Sequence, residues 1–363
     1  MRIFDHLPGN KQIKPIKMIV LSLTGKCNFS CVYCYAAEHN QELMSFATAQ
    51  KAVNMAAENG EPFILQFSGG EPLLNFACLK QILQYLKENK IKAIAQIQTN
   101  GSLLTKETAL FLRQYNCAIG LSLDGKPEIN NQMRKLPDGR GATNEIIHGF
   151  NVLRQNGIGC GITCVVTNTN VDHLAGIIDL AHYLGNVRKI GFDLLRGQGR
   201  GRNLAEPAAD KIAPAMKNVY ARAAVLSKAT GIEITFAQLE RVKTLANNAA
   251  SCFGHCYAMN GEAIHVDAKG DIYGCASLVG EEEYCAGNVD TGRSSAKQQA
   301  ITDKIKTRMH FCFVCPDFKL CGGGCYARWL GGGQTGPYRA ECALKRVSIE
   351  EYVKRGCCTK QEP

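Results

Sequence analysis

Short apolar segments alternate with helical patterns along the first 200 residues of this 363-residue chain. Six segments have the length and apolar content of buried strands: 17–24, 63–68, 93–99, 118–123, 161–167 and 189–195. Five segments between them carry apolar residues at three- and four-residue spacing, which predicts helices: 46–58, 76–88, 106–114, 144–155 and 172–184. This order is typical of parallel strands joined by right-handed crossovers. We therefore predict an α/β fold, either a doubly wound sheet or an open or closed β/α barrel, with functional residues at the carboxyl ends of the strands.

The sequence pattern changes after the sixth predicted strand. Residues 206–250 have helical patterns with a break near Gly231, and cysteine and glycine become frequent from residue 251 onward. Helical periodicity then returns only around 297–308. We predict three units, which are an α/β unit at 1–205, a helical bridge at 206–250 and a Cys-rich unit at 251–363.

The composition restricts where the chain works and what it binds. It contains 18 cysteines but begins without a secretory signal, so we predict a cytoplasmic protein whose thiols serve metal or redox chemistry. No apolar stretch is long enough for a membrane span. The formal charge is +10, but the basic residues are dispersed except at 196–202, and we predict no nucleic-acid partner.

Three cysteines form a CxxxCxxC pattern directly after the first predicted strand, at Cys27, Cys31 and Cys34. Three thiolates can bind one face of a metal cluster and leave a position open for a substrate or cofactor. A structural zinc site needs a fourth ligand, for which His39 is the close candidate.

With GGEP at residues 69–72, this motif resembles the radical S-adenosylmethionine superfamily. The resemblance implies a partial (β/α)6 TIM-like barrel. It also implies that the three cysteines hold a [4Fe-4S] cluster whose fourth iron site binds S-adenosylmethionine. One electron from the cluster cleaves the sulfonium and yields a 5′-deoxyadenosyl radical, which abstracts a hydrogen atom.

The resemblance also implies contacts to S-adenosylmethionine from residues at the other strand ends. Gly69 and Gly70 would let the backbone approach the ligand, and the Glu71 carboxylate would accept its ammonium group. The remaining residues would be Tyr33 at the adenine through its backbone, Asn100 in the same pocket, Ser122 at the ribose or methionine part, Arg134 at the carboxylate, and Leu195 against the adenine. Ordinary structural roles stay open for three of them: a turn for Asn100, a solvated loop charge for Arg134 and barrel core for Leu195.

The C-terminal third carries a longer cysteine pattern, which resembles the SPASM domain of these enzymes. That domain binds two auxiliary [4Fe-4S] clusters. The resemblance assigns the outer cluster to Cys312, Cys315, Cys321 and Cys342, and the inner cluster to Cys256, Cys275 and Cys325. Cys252 is our first choice as fourth ligand of the inner cluster, with Cys285 or an open site as alternatives. Two ribbon-type zinc sites are a further alternative.

The other cysteines have weaker patterns. Cys78, Cys117, Cys160 and Cys164 fall in or beside predicted strands and helices and are interpreted as buried apolar residues. Cys357 and Cys358 lie in a charged tail, where they are spare thiols, late ligands or a redox-sensing pair.

By resemblance, the function is modification of a peptide or protein, with formation of a thioether or other cross-link in a ribosomally made peptide as first choice. Anaerobic sulfatase maturation is the second choice. The sulfatase-maturating enzymes carry an Asp directly after the cysteine that matches Cys275, whereas Ala276 stands at that position here. A non-enzymatic iron-sulfur electron carrier and a zinc-stabilised scaffold are further alternatives. No catalytic acid, base or nucleophile is assigned.

The implied partners are a peptide or protein substrate, a small electron donor such as flavodoxin or ferredoxin, and a separate protein that recognises a leader peptide. We also expect the basic run of Arg196, Arg200 and Arg202 to receive an acidic substrate segment.

Overall fold

The computed structural model describes residues 14–247, 256–333 and 336–356. Its strands form one sheet in the order β11-β10-β9-β8-β1-β2-β3-β4-β5-β6-β7. The strands are β1 Met18–Ser22, β2 Phe63–Ser68, β3 Ala93–Thr99, β4 Ala118–Ser122, β5 Cys160–Val166, β6 Val187–Leu194, β7 Thr235–Phe236, β8 Ala263–Val266, β9 Asp271–Tyr273, β10 Cys285–Asn288 and β11 Gly292–Arg293. The six predicted strands are confirmed as β1 to β6, with ends that differ by one to two residues.

The first six strands pair in parallel with their sequence neighbours and form an open α/β barrel. The sheet does not close between β1 and β6, because β1 lies between β8 and β2 and β6 lies between β5 and β7. The helices are α1 Phe46–Ala57, α2 Phe76–Glu88, α3 Lys106–Gln114, α4 Pro127–Met133, α5 Thr143–Gln155, α6 Ala175–Leu184, α7 Ala209–Thr230, α8 Ala237–Asn247, α9 Ser295–Arg308, α10 Phe318–Cys321, α11 Tyr326–Gly331 and α12 Arg339–Lys354. All five predicted helices of the first 200 residues are confirmed, and the short α4 is an addition. In the C-terminal region α9 confirms the helix predicted at 297–308, whereas α12 corrects the expectation that helical structure occurs only there.

Alternating burial gives each barrel strand two different faces. In β5, for example, Cys160, Ile162, Cys164 and Val166 are buried, whereas the residues between them are half-buried. The buried face packs on the helices, and the other face lines the lumen of the barrel. Polar groups at strand ends, such as Ser68 and Ser122, therefore meet at one end of the lumen.

The C-terminal region extends the same sheet rather than forming a separate one. β8 pairs in parallel with β1, and β9, β10 and β11 follow as antiparallel strands. The predicted helical bridge consists of α7, which ends at Gly231 with a positive φ of 71°, and α8. A second, smaller core of nine buried residues lies in the C-terminal region and includes Tyr284, Tyr326 and Trp329.

Among the residues that the structure describes, no helix is both long enough and apolar enough to cross a membrane.

Candidate active site

The first thiol loop, residues 27–34, leaves the end of β1 and carries Cys27, Cys31 and Cys34. Cys27 is exposed, Cys31 is buried and Cys34 is half-buried. The pKa of Cys27 is raised to about 12, chiefly because its thiol is shielded from water, with smaller contributions from Glu71, Cys31 and Cys34 and an opposing backbone hydrogen bond from Phe29. A metal that binds Cys27 would have to displace its proton.

The GG pair of the GGEP motif packs directly on this loop. A Cβ on Gly69 would lie 2.2 Å from the carbonyl oxygen of Thr24, and one on Gly70 would lie 2.1 Å from that of Lys26. The amides of Gly70 and Glu71 donate to the same two carbonyls, at 2.7 and 2.8 Å. These glycines thus serve the close approach of the loop backbone, in addition to any contact with a ligand.

The carboxylate of Glu71 is fully buried and already has three donors. It accepts hydrogen bonds from the Thr99 hydroxyl at 2.6 Å, the Asn100 amide at 2.8 Å and the Leu73 amide at 3.1 Å. Burial raises its pKa to about 7, although these bonds lower it. These bonds tie the end of β2 to the end of β3, and the expected contact of the Glu71 carboxylate with a ligand ammonium group stays a prediction.

Arg134 also has a protein partner in place of the expected ligand carboxylate. Its guanidinium forms an ion pair with the buried Asp124 at 2.8 Å and stacks 5.4 Å from the centre of the Tyr33 ring. The Tyr33 hydroxyl donates to the same carboxylate at 2.5 Å, and so does the Val165 amide at 2.8 Å. A ligand carboxylate at Arg134 would have to share it with Asp124. Sequence reasoning missed Asp124 as the centre of this cluster, although its SLDG motif was visible.

The other predicted S-adenosylmethionine contacts lie at strand ends. The Asn100 side chain donates to Asn28 at 2.9 Å and lies 3.9 Å from the Cys27 sulfur. The Ser122 hydroxyl faces the lumen and accepts from Gln98 at 3.0 Å. Leu195 is buried at the end of β6. The structure brings Asn100 to the thiol loop, and ligand contacts for all three residues stay predictions.

Arg200 clamps the first thiol loop from the segment that follows β6. Its Nε donates to the Cys31 carbonyl at 2.7 Å, and its backbone amide donates to the Cys34 carbonyl at 3.0 Å. Arg196 bonds Asp193 and Ser277, and the exposed Arg202 pairs with Glu38. All three arginines are engaged by groups of the protein itself, but Arg202 and Glu38 are both exposed, so the expected acidic substrate segment at this basic run stays a prediction.

The described C-terminal cysteines fall into two sets. Burial raises the pKa of Cys325 to about 12, and Glu341, Cys275 and Cys256 contribute in the same direction. Burial raises the pKa of Cys342 to about 11, with contributions from Cys321 and Cys312. We call Cys256, Cys275 and Cys325 the inner thiol group, and Cys312, Cys315, Cys321 and Cys342 the outer thiol group.

The candidates for a fourth inner ligand differ in their surroundings. The Cys285 thiol donates to the Gly287 carbonyl at 3.4 Å, which gives it a structural partner. Cys252, Cys357 and Cys358 lie outside the described residues. Within the described ranges, no three His, Cys, Asp or Glu side chains are close enough to hold one metal ion.

The thiols fit [4Fe-4S] clusters in number and in local hydrogen bonding. Three groups hold three, three and four described cysteines, and thiolates are the ligands that such clusters use. Backbone amides already donate to ligand sulfurs, from Phe29 to Cys27 and from Gly324 to Cys312, both at 3.4 Å. Amide donors of this kind stabilise thiolate charge. The four cysteines interpreted as apolar, Cys78, Cys117, Cys160 and Cys164, are buried as predicted.

Comparisons with known proteins agree with this site. A family model described as the Radical SAM superfamily matches residues 21–181. The uncharacterized protein MJ0907 of Methanocaldococcus jannaschii is 31% identical over 315 residues, which cover 86% of this chain and 96% of that protein. The serine-type anaerobic sulfatase-maturating enzyme of Bacteroides thetaiotaomicron is 25% identical, over 86% of this chain and 83% of that enzyme. Several other relatives are matched over only 43–58% of their own length.

Two solved structures share the fold. Native anSMEcpe with bound AdoMet and Cp18Cys peptide superposes with a TM-score of 0.77 at 19% identity, over 95% of this chain and 98% of that chain. Streptococcus suis SuiB bound to the precursor peptide SuiA superposes with a TM-score of 0.66 at 17% identity, over 87% of this chain and 73% of that chain. The chain belongs to the radical SAM superfamily, whose enzymes use a [4Fe-4S] cluster and S-adenosylmethionine.

Proposed function

We propose that this radical SAM enzyme modifies a side chain of a peptide or protein, in the maturation of a ribosomally synthesised peptide through a thioether or other cross-link. The observation that carries the proposal is the convergence of the first thiol loop and the inner thiol group on one seam. The Arg196 guanidinium stacks 4.7 Å from the ring centre of Tyr35, which follows Cys34, and donates at 2.8 Å to Ser277, two residues after Cys275. Because the chain belongs to an enzyme superfamily, we set aside the alternative of a non-enzymatic electron carrier.

When bound, the cluster and S-adenosylmethionine supply a 5′-deoxyadenosyl radical. The chain supplies the ligand thiols Cys27, Cys31 and Cys34, and holds them through Gly70 and Arg200. Around the sulfonium ligand we propose Tyr33, Gly69, Asn100, Ser122, Arg134 and Leu195, because all lie at the carboxyl ends of β1 to β6 or in the loops that follow. Glu71 supports these residues by joining the ends of β2 and β3 through its hydrogen bonds to Thr99 and Asn100.

A cavity in the lumen supports a peptide as substrate. It has a volume of ≈ 540 Å³ and is lined by the side-chain amides of Gln66, Gln96 and Gln98, by Thr163, by the bare backbone of three strand glycines, and by Arg188 and Lys189 near the start of β6. Amides and hydroxyls offer both donors and acceptors, which suits a polypeptide backbone. In the solved relatives, anSMEcpe is bound to Cp18Cys peptide and SuiB to precursor peptide SuiA.

Sulfatase maturation is the second candidate, and its support is the similarity to anaerobic sulfatase-maturating enzymes over most of the chain. Ala276 and Ser277 follow Cys275, and the Ser277 hydroxyl accepts from Arg196 at 2.8 Å. No carboxylate therefore follows Cys275 directly, in contrast to the pattern that the sulfatase interpretation requires.

The first test removes the ligands of the first thiol loop. Replacing Cys27, Cys31 and Cys34 by Ala should abolish 5′-deoxyadenosine formation and leave about eight iron atoms in the two auxiliary clusters. Replacing the buried Cys78 of α2 by Ala is the control and should leave both the iron content and the cleavage unchanged. Surviving cleavage in the triple variant would refute the assignment.

The second test identifies the substrate class. Short Cys-rich peptides encoded beside the gene should lose hydrogen in pairs when incubated with the loaded enzyme, S-adenosylmethionine and a reductant, as seen by mass spectrometry. Cys- and Ser-containing sulfatase peptides test the second candidate, since their product carries an aldehyde that reacts with hydrazines. In cells we propose flavodoxin or ferredoxin as electron donor and a separate protein for leader recognition.

A further inference from the structure

The side chain of Arg196 joins three parts of the molecule at the seam between barrel and C-terminal region. Its two Nη atoms donate to Asp193 at the end of β6 and to Ser277, both at 2.8 Å. Its guanidinium carbon lies 4.7 Å from the centre of the Tyr35 ring. Because Tyr35 follows Cys34 and Ser277 lies two residues after Cys275, this one cation stands between two cluster sites.

The charge of Arg196 acts directly on the inner thiol group. Burial lowers the pKa of Arg196, but Tyr35, Cys325 and Cys275 raise it by more. Its Nε atom is buried and has no acceptor among the residues that the structure describes. A buried donor without an acceptor is unfavourable, and a ligand-bound sulfur beside it would satisfy it.

The neighbouring acidic groups do not cancel this charge. Asp193 pairs with both Arg196 and Arg328, and Glu341 pairs with both Arg328 and Lys345. Three cations thus share two carboxylates, which leaves one positive charge in the network. Arg328, Glu341 and Lys345 are buried, so water screens this charge poorly.

We propose that Arg196 raises the reduction potential of the inner auxiliary cluster by holding a fixed positive charge and a free N–H beside Cys275 and Cys325. Reduction adds one negative charge to a cluster, so a nearby cation and a hydrogen bond to sulfur both favour the reduced state. This inference rests on the proposed function only in that both require an inner auxiliary cluster.

The test measures potentials rather than turnover. It uses the full chain with Cys27, Cys31 and Cys34 replaced by Ala, so that only the two auxiliary clusters contribute to the spectra. In redox titrations followed by electron paramagnetic resonance, Arg196→Gln should lower the midpoint potential of one cluster and leave the other unchanged. Arg196→Lys should retain most of the potential, because it keeps the charge. Arg202→Gln is the matched control, since Arg202 is exposed and pairs with Glu38, and it should shift neither potential.

Unchanged potentials in Arg196→Gln at about eight iron atoms per chain would overturn this inference alone. A background variant that binds no iron would instead refute the auxiliary clusters and the proposed function with them. If the Arg196→Gln variant does not bind its auxiliary clusters, the triple-Ala background protein labelled with ¹⁵N-arginine tests whether an arginine lies beside a cluster. Electron-nuclear double resonance should then detect arginine nitrogen at one reduced cluster, and its absence would overturn the proposal.

Discussion

The barrel and the C-terminal region hold their thiols in different ways. In the barrel, the backbone of the first thiol loop is bonded to the end of β2 and to Arg200, and it rests on a core that runs through all six parallel strands. In the C-terminal region, the described thiols other than Cys342 sit on short helices and loops around a smaller core of nine described buried residues, one of which is the proposed ligand Cys312. Cys342 lies on α12, which packs into the main core.

This difference separates two kinds of metal site. The backbone around the first thiol loop is held by hydrogen bonds from the barrel, so we expect it to keep its fold without a bound metal. The C-terminal thiols take part in the core that they need, so binding of the clusters contributes directly to the folding of that region. The barrel should therefore survive loss of iron, whereas the C-terminal region should not.

Loss of one outer ligand should have the largest effect. Cys312→Ser should remove about four iron atoms and most of the hydrogen-exchange protection of α9 to α11, because a proposed ligand buried in the smaller core is lost. Protection of β2 to β5 should persist. Cys78→Ala is the control, since this buried thiol on α2 is assigned no ligand role. Equal loss of protection in both halves would contradict the comparison.

Gly70→Ala tests whether the first thiol loop is preformed. The new Cβ would lie 2.1 Å from the Lys26 carbonyl, so the loop backbone must move. We expect loss of the first cluster, with about eight iron atoms retained, measured by iron analysis and 5′-deoxyadenosine formation. Gly161→Ala on β5 is the control, because its Cβ would meet backbone only at an ordinary 3.6 Å. Full loading of Gly70→Ala would show that the loop adapts to its metal.

The pH dependence of stability tests the junction between the barrel and the C-terminal region. At this junction His265 on β8 pairs with Val20 of β1. Burial lowers the pKa of His265 to about 3, so the folded protein keeps it neutral while the unfolded chain takes up a proton below about pH 6.5. Stability from this group is present above that pH and is lost as the pH falls.

From pH 7.5 to pH 5, the opening free energy of β1 and β8 should fall by about 2 kcal/mol from this residue, as measured by amide hydrogen exchange. His265→Leu should remove that part of the fall, and the exposed His148→Leu should not. The same pH dependence in His265→Leu as in the parent would refute the assignment.

The smallest effect is expected for the clamp on the first thiol loop. Arg200→Met removes the charged donor to the Cys31 carbonyl and should destabilise the loop by about 1.5 kcal/mol. Faster hydrogen exchange at residues 27–34 and faster loss of the first cluster to a chelator would report this. Arg202→Met, at an exposed ion pair, should change neither rate measurably.

The order of strands and helices was predictable because periodicity and turn residues are local properties of the chain. The cysteine positions were equally visible, and their assignment to three clusters stays a prediction. The roles of Glu71, Arg134 and Arg200 were not predictable, because their partners Asn100, Asp124 and Cys31 come together only through the packing of strand ends. Asp124 was overlooked because a buried carboxylate and a loop carboxylate look identical in a sequence.

The sequence by itself determined the α/β class and the superfamily, since each depends on residue type and spacing along the chain, and it predicted the ligand cysteines. The tertiary structure alone decided which ionic groups have partners within the protein. It paired Glu71 with Thr99 and Asn100, paired Arg134 with Asp124, and placed Arg196 between Asp193, Tyr35 and Ser277. The physical reason is that burial and pairing depend on neighbours distant in sequence, and these two factors decide what an ionic group can still bind.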